Sequence, residues 1–276
     1  MVTSFAEQVR TAAARADSLV CIGLDPDLNR IPQSLSHLPP GERIAAFNRS
    51  IIDATSDIAC CYKPNLAFYA AHGIAGLEAL LATRDAVPNG IPVLLDCKVG
   101  DIGSTAAAYA TAFFDEWGFD GITVNPYLGE DSLAPFLSYE GKGVIIVCKT
   151  SNPGGGDFQD LKIDDRTLYE TVAMRAVEWQ ERYPASIGLV VGATWPDQLA
   201  GVRAIAPDLP ILLPGVGAQA GDLDAAVRAG LDARKESLLV SSSRGITYAS
   251  SGPDFAEAAR AAALAMRDDV NELRPL

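Results

Sequence analysis

Histidine is scarce in this sequence: 276 residues contain two, His37 and His72. They stand far apart and lack the spacing of metal ligands, which argues against a histidine-built zinc site. Acid–base chemistry then falls to Lys, Asp or Glu. Cationic residues are also short, 22 Lys plus Arg against 35 Asp plus Glu, for a net charge of −13. That field opposes a nucleic-acid duplex or an anionic membrane, and an anionic small substrate would need its own cationic pocket. No apolar stretch approaches the ~20 residues of a membrane span, and no secretory apolar core follows the N-terminus. Cys21, Cys60, Cys61, Cys97 and Cys148 form no Cys-x-x-Cys pair. Each lies in or at the end of an apolar run, where a thiol acts as a small hydrophobe rather than a disulfide partner. The expectation is a soluble protein of a reducing, cytoplasmic compartment.

A Gly-x-Gly-x-x-Gly after the first strand is missing as well, which weakens a doubly wound dinucleotide fold. What the chain does hold is alternation. Apolar, β-branched runs recur at Leu19–Leu24, Ala59–Tyr62, Pro92–Leu95, Gly121–Val124, Val144–Cys148, Ile187–Val191, Ile211–Leu213 and Ser237–Val240. Helical composition fills segments between and after them, as in Arg43–Asp57, Thr105–Trp117, Leu168–Arg182, Asp222–Ala229 and Asp254–Met266. Eight strands alternating with helices predict a single (β/α)8 TIM barrel over residues 1–276. Ser4-Phe5-Ala6-Glu7 reads as a capping box that opens an additional N-terminal helix. Composition marks no linker between domains. The nearest candidate, Asn152-Pro153-Gly154-Gly155-Gly156, is either a plain flexible connection or a lid at the catalytic face.

Barrel enzymes work at the C-terminal ends of their strands, so polar residues there are the candidates. The first run ends in Gly23-Leu24-Asp25-Pro26, the second in Tyr62-Lys63-Pro64-Asn65, the fourth in Asn125-Pro126 and the fifth in Lys149-Thr150-Ser151-Asn152. The third ends in Asp96-Cys97-Lys98-Val99-Gly100-Asp101, with Thr105 four residues on. Two-residue alternation would put Asp96 and Lys98 on one face, and an Asp–Lys–Asp array would keep Lys98 charged. After the seventh and eighth runs come Pro214-Gly215-Val216-Gly217-Ala218-Gln219 and Ser241-Ser242-Ser243-Arg244-Gly245. Glycine backbone amides and an arginine fork in these loops suit a phosphorylated small molecule.

Taken together, Asp96-x-Lys98-x-x-Asp101-Ile102-Gly103-x-Thr105, Gly23-Leu24-Asp25-Pro26, Tyr62-Lys63-Pro64-Asn65, Thr150-Ser151-Asn152-Pro153-Gly154 and Pro214 to Gln219 resemble the orotidine 5′-monophosphate decarboxylases. The likeness spans nearly the whole chain in the expected order and is nearest the longer bacterial subgroup. Gly103 departs from it, since many members have proline there. The resemblance implies a homodimeric, cofactor-free and metal-free lyase of pyrimidine (UMP) biosynthesis. In it Lys98 protonates C6 of the pyrimidine and Asp96 lies against the substrate carboxylate. Asp25 and Lys63 bind ribose hydroxyls, Lys63 also pairs to Asp96, and Asp101 and Thr105 reach the partner subunit's substrate. Ser151 meets the pyrimidine edge, Gln219 bridges base and phosphate, and Gly217 and Arg244 hold the phosphate under the loop after Pro214. Two alternatives compete. One is a Mg²⁺-dependent sugar-phosphate decarboxylase with the same Asp-x-Lys-x-x-Asp strand. The other is a barrel that binds a nucleotide without turning it over.

Overall fold

The computed structural model describes residues 2–216 and 222–274. Its strands are β1 (Val20–Leu24), β2 (Cys61–Pro64), β3 (Leu94–Val99), β4 (Gly121–Val124), β5 (Gly143–Lys149), β6 (Ser186–Val191), β7 (Ile211–Pro214) and β8 (Leu238–Ser242). Each of the eight apolar runs thus became a strand. Parallel ladders join them in the order β2-β1-β8-β7-β6-β5-β4-β3. The two edges meet through single parallel bridges, Tyr62 to Val93 and Asn65 to Asp96, which complete the ring. β1 and β6 are buried along their full length, because helices cover the outside and side chains fill the inside. The fold is the expected (β/α)8 barrel.

The N-terminal helix, Phe5–Ala16, closes the bottom of the barrel. Phe5 is fully buried, and Gly121 and Gly143 make room for it at the starts of β4 and β5. A Cβ on Gly143 would stand 2.5 Å from the Phe5 ring, so the first strand positions cannot carry a side chain there. Only half of the expected capping box forms. Ser4 Oγ accepts the Glu7 N–H at 3.3 Å, while the Glu7 carboxylate turns to Arg10 at 3.2 Å. The reciprocal box occurs instead at Thr167 and Glu170, ahead of the helix Leu168–Gln180.

Helix ends differ from the sequence reading by a few residues, as where the helix expected from Arg43 begins at Pro40. The one expected from Thr105 already begins at Gly103, so Thr105 lies in its first turn, and it widens over Thr111–Glu116 into an i→i+5 turn closed by Trp117 N–H on Ala112 O. The last helix, Phe255–Leu273, runs a further two turns past Met266. After β5 the glycine-rich stretch is folded. It forms a 3-10 turn at Pro153–Gly155, a helical turn at Gly156–Gln159, and a small antiparallel hairpin of Lys162–Ile163 with Arg166–Thr167. Among the described residues no helix is long and apolar enough to cross a membrane, and all five cysteines are unpaired.

Candidate active site

Strand register alone brings the charged residues to one rim. Gly23 of β1 pairs with Lys63 of β2, and Asn65 just beyond β2 bridges Asp96 of β3. Asp96 sits at the centre of the resulting cluster. Its Oδ2 receives Lys63 Nζ at 3.2 Å and Asn65 Nδ2 at 3.2 Å. Its Oδ1 receives Lys98 Nζ at 2.5 Å and the Thr123 hydroxyl at 2.9 Å. The expected Asp–Lys–Asp order is therefore replaced by Lys–Asp–Lys. Among the described residues Asp101 takes no part in these ion pairs; its Oδ1 accepts the N–H of Ile102 at 2.8 Å.

Burial alone would raise the Asp96 carboxyl, but Lys63, Lys98 and the Thr123 hydroxyl outweigh it and hold the group well below the ordinary carboxylate range. Lys63 shows the converse. Its desolvation favours the neutral amine, yet Asp96 and Asp25 overcome this and move its pKa above the ordinary lysine value. Asp96 and Lys63 are thus held in their charged forms.

Simple alternation does not explain how Asp96 and Lys98 meet. The ladder between β3 and β4 slips between Leu95 and Val99, and Lys98 adopts φ 45°, a left-handed conformation unusual for a side chain of this size. Thr123 of β4 fills the bulge: its hydroxyl oxygen accepts the N–H groups of both Cys97 and Lys98, each at 2.9 Å. The bulge swings Lys98 over the strand end while Asp96 stays buried. Bulges of this kind re-aim side chains beside active sites.

Facing this cluster is a cavity of about 200 Å³ lined by Asp25, Lys63, Asp96, Pro214, Gly215, Ser243 and Arg244, among others. Among the described residues Asp25 Oδ1 and Ser243 Oγ are both buried with no hydrogen-bond partner, a cost that a polar ligand would relieve. Gly23 lets the two loops approach, since a Cβ there would stand 2.6 Å from Ser243 Cβ. Gly215, at φ 94°, turns the chain directly after Pro214. Arg244 is exposed and opens the short helix Arg244–Thr247. Gly217 and Gln219 lie outside the described residues.

The remaining predicted residues divide by position. Ser151 follows β5 at the same end of the barrel, its backbone pressed on Gly192 beyond β6. Asp101 and Thr105 flank Ile102, 56% exposed, and beyond the neighbouring strand β4 stands Tyr127, 78% exposed. Three site residues were given no role by the sequence, although Asn65 stood in one of its motifs. Asn65 doubles as the cap of the helix Leu66–Ala70, accepting the Ala67 N–H at 3.1 Å. Thr123 is one hydroxyl within an apolar run, and Tyr248 is distant in sequence. The Tyr248 hydroxyl accepts Asp27 N–H at 2.6 Å and donates to Asp25 O at 3.2 Å.

A parallel barrel with this rim is an enzyme scaffold whose paired ammonium groups and glycine-lined pocket suit a small anionic substrate. Residues 18–262 match the family model described as orotidine 5′-phosphate decarboxylase / HUMPS family. An orotidine 5′-phosphate decarboxylase of Thermomicrobium roseum is 52% identical over 273 residues, covering 98% of this chain and 96% of that one. The structure of Leishmania donovani OMP decarboxylase superposes with TM-score 0.85 at 41% identity, covering 99% of each chain. Leishmania donovani UMP synthase superposes with TM-score 0.87 at 42% identity, where this chain spans 57% of the longer protein. The chain belongs to the orotidine 5′-phosphate decarboxylase / HUMPS family.

Proposed function

We propose that this chain is a carboxy-lyase that converts orotidine 5′-monophosphate (OMP) into UMP and carbon dioxide, in one barrel domain spanning residues 1–276. The observation that carries the reading is the Lys63–Asp96–Lys98 cluster, two ion pairs sharing a carboxylate buried at its centre. Breaking the bond from C6 to the carboxylate carbon leaves the electron pair in an sp² orbital of C6, with no carbonyl arranged to accept it. Lys98, half exposed and paired with Asp96, stabilises that developing charge more than it stabilises the ground state and then gives C6 a proton. Two unit charges 4 Å apart interact by ~4 kcal/mol at an effective dielectric of ~20, so fixing Lys98 through Asp96 and the Thr123 bulge has direct consequence. Asp96 faces the departing carboxylate. Lys63 and Asp25 take ribose hydroxyls, satisfying the buried Asp25 oxygen.

Ser151 meets the pyrimidine edge. Pro214, Gly217, Gln219 and Arg244 bind the phosphate end, whose binding energy can drive closure and desolvation far from the reacting carbon. Asp101 and Thr105 serve the second subunit of a homodimer, and the apolar Ile102 and Tyr127 beside them supply surface for that contact. Compartment and partners follow the same reading: a cytoplasmic enzyme of pyrimidine biosynthesis with no nucleic-acid or membrane partner. No metal, flavin or pyridoxal enters the reaction. Against the Mg²⁺-dependent sugar-phosphate alternative, both Asp96 oxygens already serve ammonium groups, so a divalent cation would compete with two fixed positive charges. The test is incubation of pure protein with OMP, following loss of its absorbance with and without EDTA. Turnover insensitive to EDTA is expected. Binding of UMP without turnover of OMP would overturn the reading, and EDTA-sensitive turnover would overturn its metal-free part.

A further inference from the structure

Strand β5 ends on a lysine that the chemistry above leaves unused. Lys149 is 1% exposed, and its Nζ lies 2.5 Å from Asp160 Oδ1. The same ammonium stands 5.3 Å from the Trp195 ring centre and 5.6 Å from that of Tyr169. A buried ammonium is costly and an aliphatic side chain would fill the space, so what this pair supplies is a defined geometry rather than stability. The partner identifies what is being placed. Asp160 belongs to the insert between Pro153 and Thr167, whose Phe158, Leu161 and Ile163 are exposed. With those apolar side chains in solvent, the insert has little core to hold it.

Polar contacts do that instead, and they converge on the residues just before Ser151. Gln159 Oε1 accepts the Thr150 N–H at 2.9 Å, and its Nε2 donates to Thr150 Oγ1 at 2.8 Å. From the opposite side Trp195 Nε1 donates to Thr150 O at 3.0 Å, and Lys149 O accepts the Gly192 N–H at 2.8 Å. Ser151 then rests on Gly192, where an added Cβ would come within 2.8 Å of both its N and its Cβ.

We propose that Lys149 and Asp160 are positioning residues for base recognition, a clasp that fixes the insert to the end of β5 and so sets Ser151 against the pyrimidine. The proposal rests on the assignment of Ser151 to the pyrimidine edge given above. It predicts a defect that depends on the base and spares the sugar phosphate.

The experiment is equilibrium titration of UMP and of ribose 5-phosphate into wild-type protein, Ser151→Ala, Asp160→Ala and the double variant. Asp160→Ala is expected to weaken UMP about 10-fold, on the scale of one lost hydrogen bond, and to change ribose 5-phosphate by less than about 2-fold. The double variant should bind UMP no more weakly than Ser151→Ala alone, because both changes remove one interaction. Lys149→Met, which removes the buried charge itself, should repeat the selective loss, and Asp160→Glu should restore most of the affinity. Unaltered UMP affinity in Asp160→Ala, equal loss for both ligands, or additive losses in the double variant would each overturn the clasp while leaving Ser151 in place. Unaltered UMP affinity in Ser151→Ala would instead remove Ser151 from the base, and the clasp with it.

Discussion

The two halves of the rim are finished to different degrees. On β2, β3 and β4, Asp96 has both oxygens saturated by Lys63, Asn65, Lys98 and Thr123. Just beyond β1 and β8, Asp25 and Ser243 each hold a buried oxygen without a partner among the described residues. The first half is preorganised: charges needed in the transition state stand in place before substrate arrives, and no reorganisation is required at the reacting carbon. The second half is completed by its ligand, so binding there releases free energy that can be applied elsewhere in the site. A protein of net charge −13 needs this division. Its overall field opposes a nucleotide, and only locally placed cations can reverse that sign.

Removing Lys98 should break the comparison most severely. Lys98→Ala takes away the placed charge, ~4 kcal/mol in the figure above, and the proposed proton donor together. The expected loss in kcat is at least about 10³-fold with the fold intact by circular dichroism. Activity near wild type would show that the preorganised half does not carry the chemistry.

The next largest effect concerns stability. Asp96→Ala leaves Lys63 buried without its principal partner and should destabilise the protein by ~3–5 kcal/mol in denaturant titration. The pH dependence follows from the depressed Asp96 pKa. A carboxyl lowered in the folded state contributes stability above its unfolded value near ~4, and that contribution is lost as pH falls through the folded value. Lys63, raised in the folded state, contributes fully below its unfolded value near ~10.4 and loses that contribution only above it. Wild type should therefore hold a stability plateau between about pH 4 and 10, with an acid-side decline that Asp96→Asn makes shallower. An equally steep acid decline in that variant would mean that other carboxylates govern acid unfolding.

How far the sequence revealed this arrangement differs between the halves. Lys63, Asp96 and Lys98 were visible because charged residues that end apolar runs have few structural reasons to be there. The resemblance also implied the Lys63–Asp96 pair, but not the backbone path by which Lys98 reaches Asp96. Period-two alternation cannot anticipate a bulge whose cause, Thr123, sits on the neighbouring strand and looks like any β-branched core residue. The strands were readable since each run is buried on both faces. Helix ends were less so, as Gly103 at φ 53° begins a helix that composition places two residues later. The Lys149–Asp160 pair stayed hidden because it joins a strand end to an insert with no apolar period of its own.

On the ligand-completed half, Arg244→Ala should raise the KM for OMP by roughly 10- to 100-fold, the value of one charge-assisted contact, with kcat much less affected. Equal losses in kcat and kcat/KM would place Arg244 in the reacting machinery and erase the distinction between halves. An unchanged KM would remove Arg244 from the phosphate.

The smallest expected effect tests how the unfinished half is held ready. Asp25 can leave an oxygen unpaired only if its backbone is fixed, and Tyr248 supplies that by bonding Asp27 N–H and Asp25 O with one hydroxyl. The ring itself is retained by stacking on Phe47, centroids 5.6 Å apart, and by Arg30 4.1 Å above it. Tyr248→Phe therefore keeps the packing and deletes only the hydroxyl, a change of ~1 kcal/mol. With Asp25 proposed to serve the ribose and not C6, the loss should appear as a KM increase of about 5-fold with kcat nearly constant. Ribose 5-phosphate affinity should fall by the same factor, in contrast to the Asp160→Ala variant, which spares it. A fall in kcat alone would mean that Asp25 acts at the reacting carbon, and the two halves would then be one site with a single degree of order.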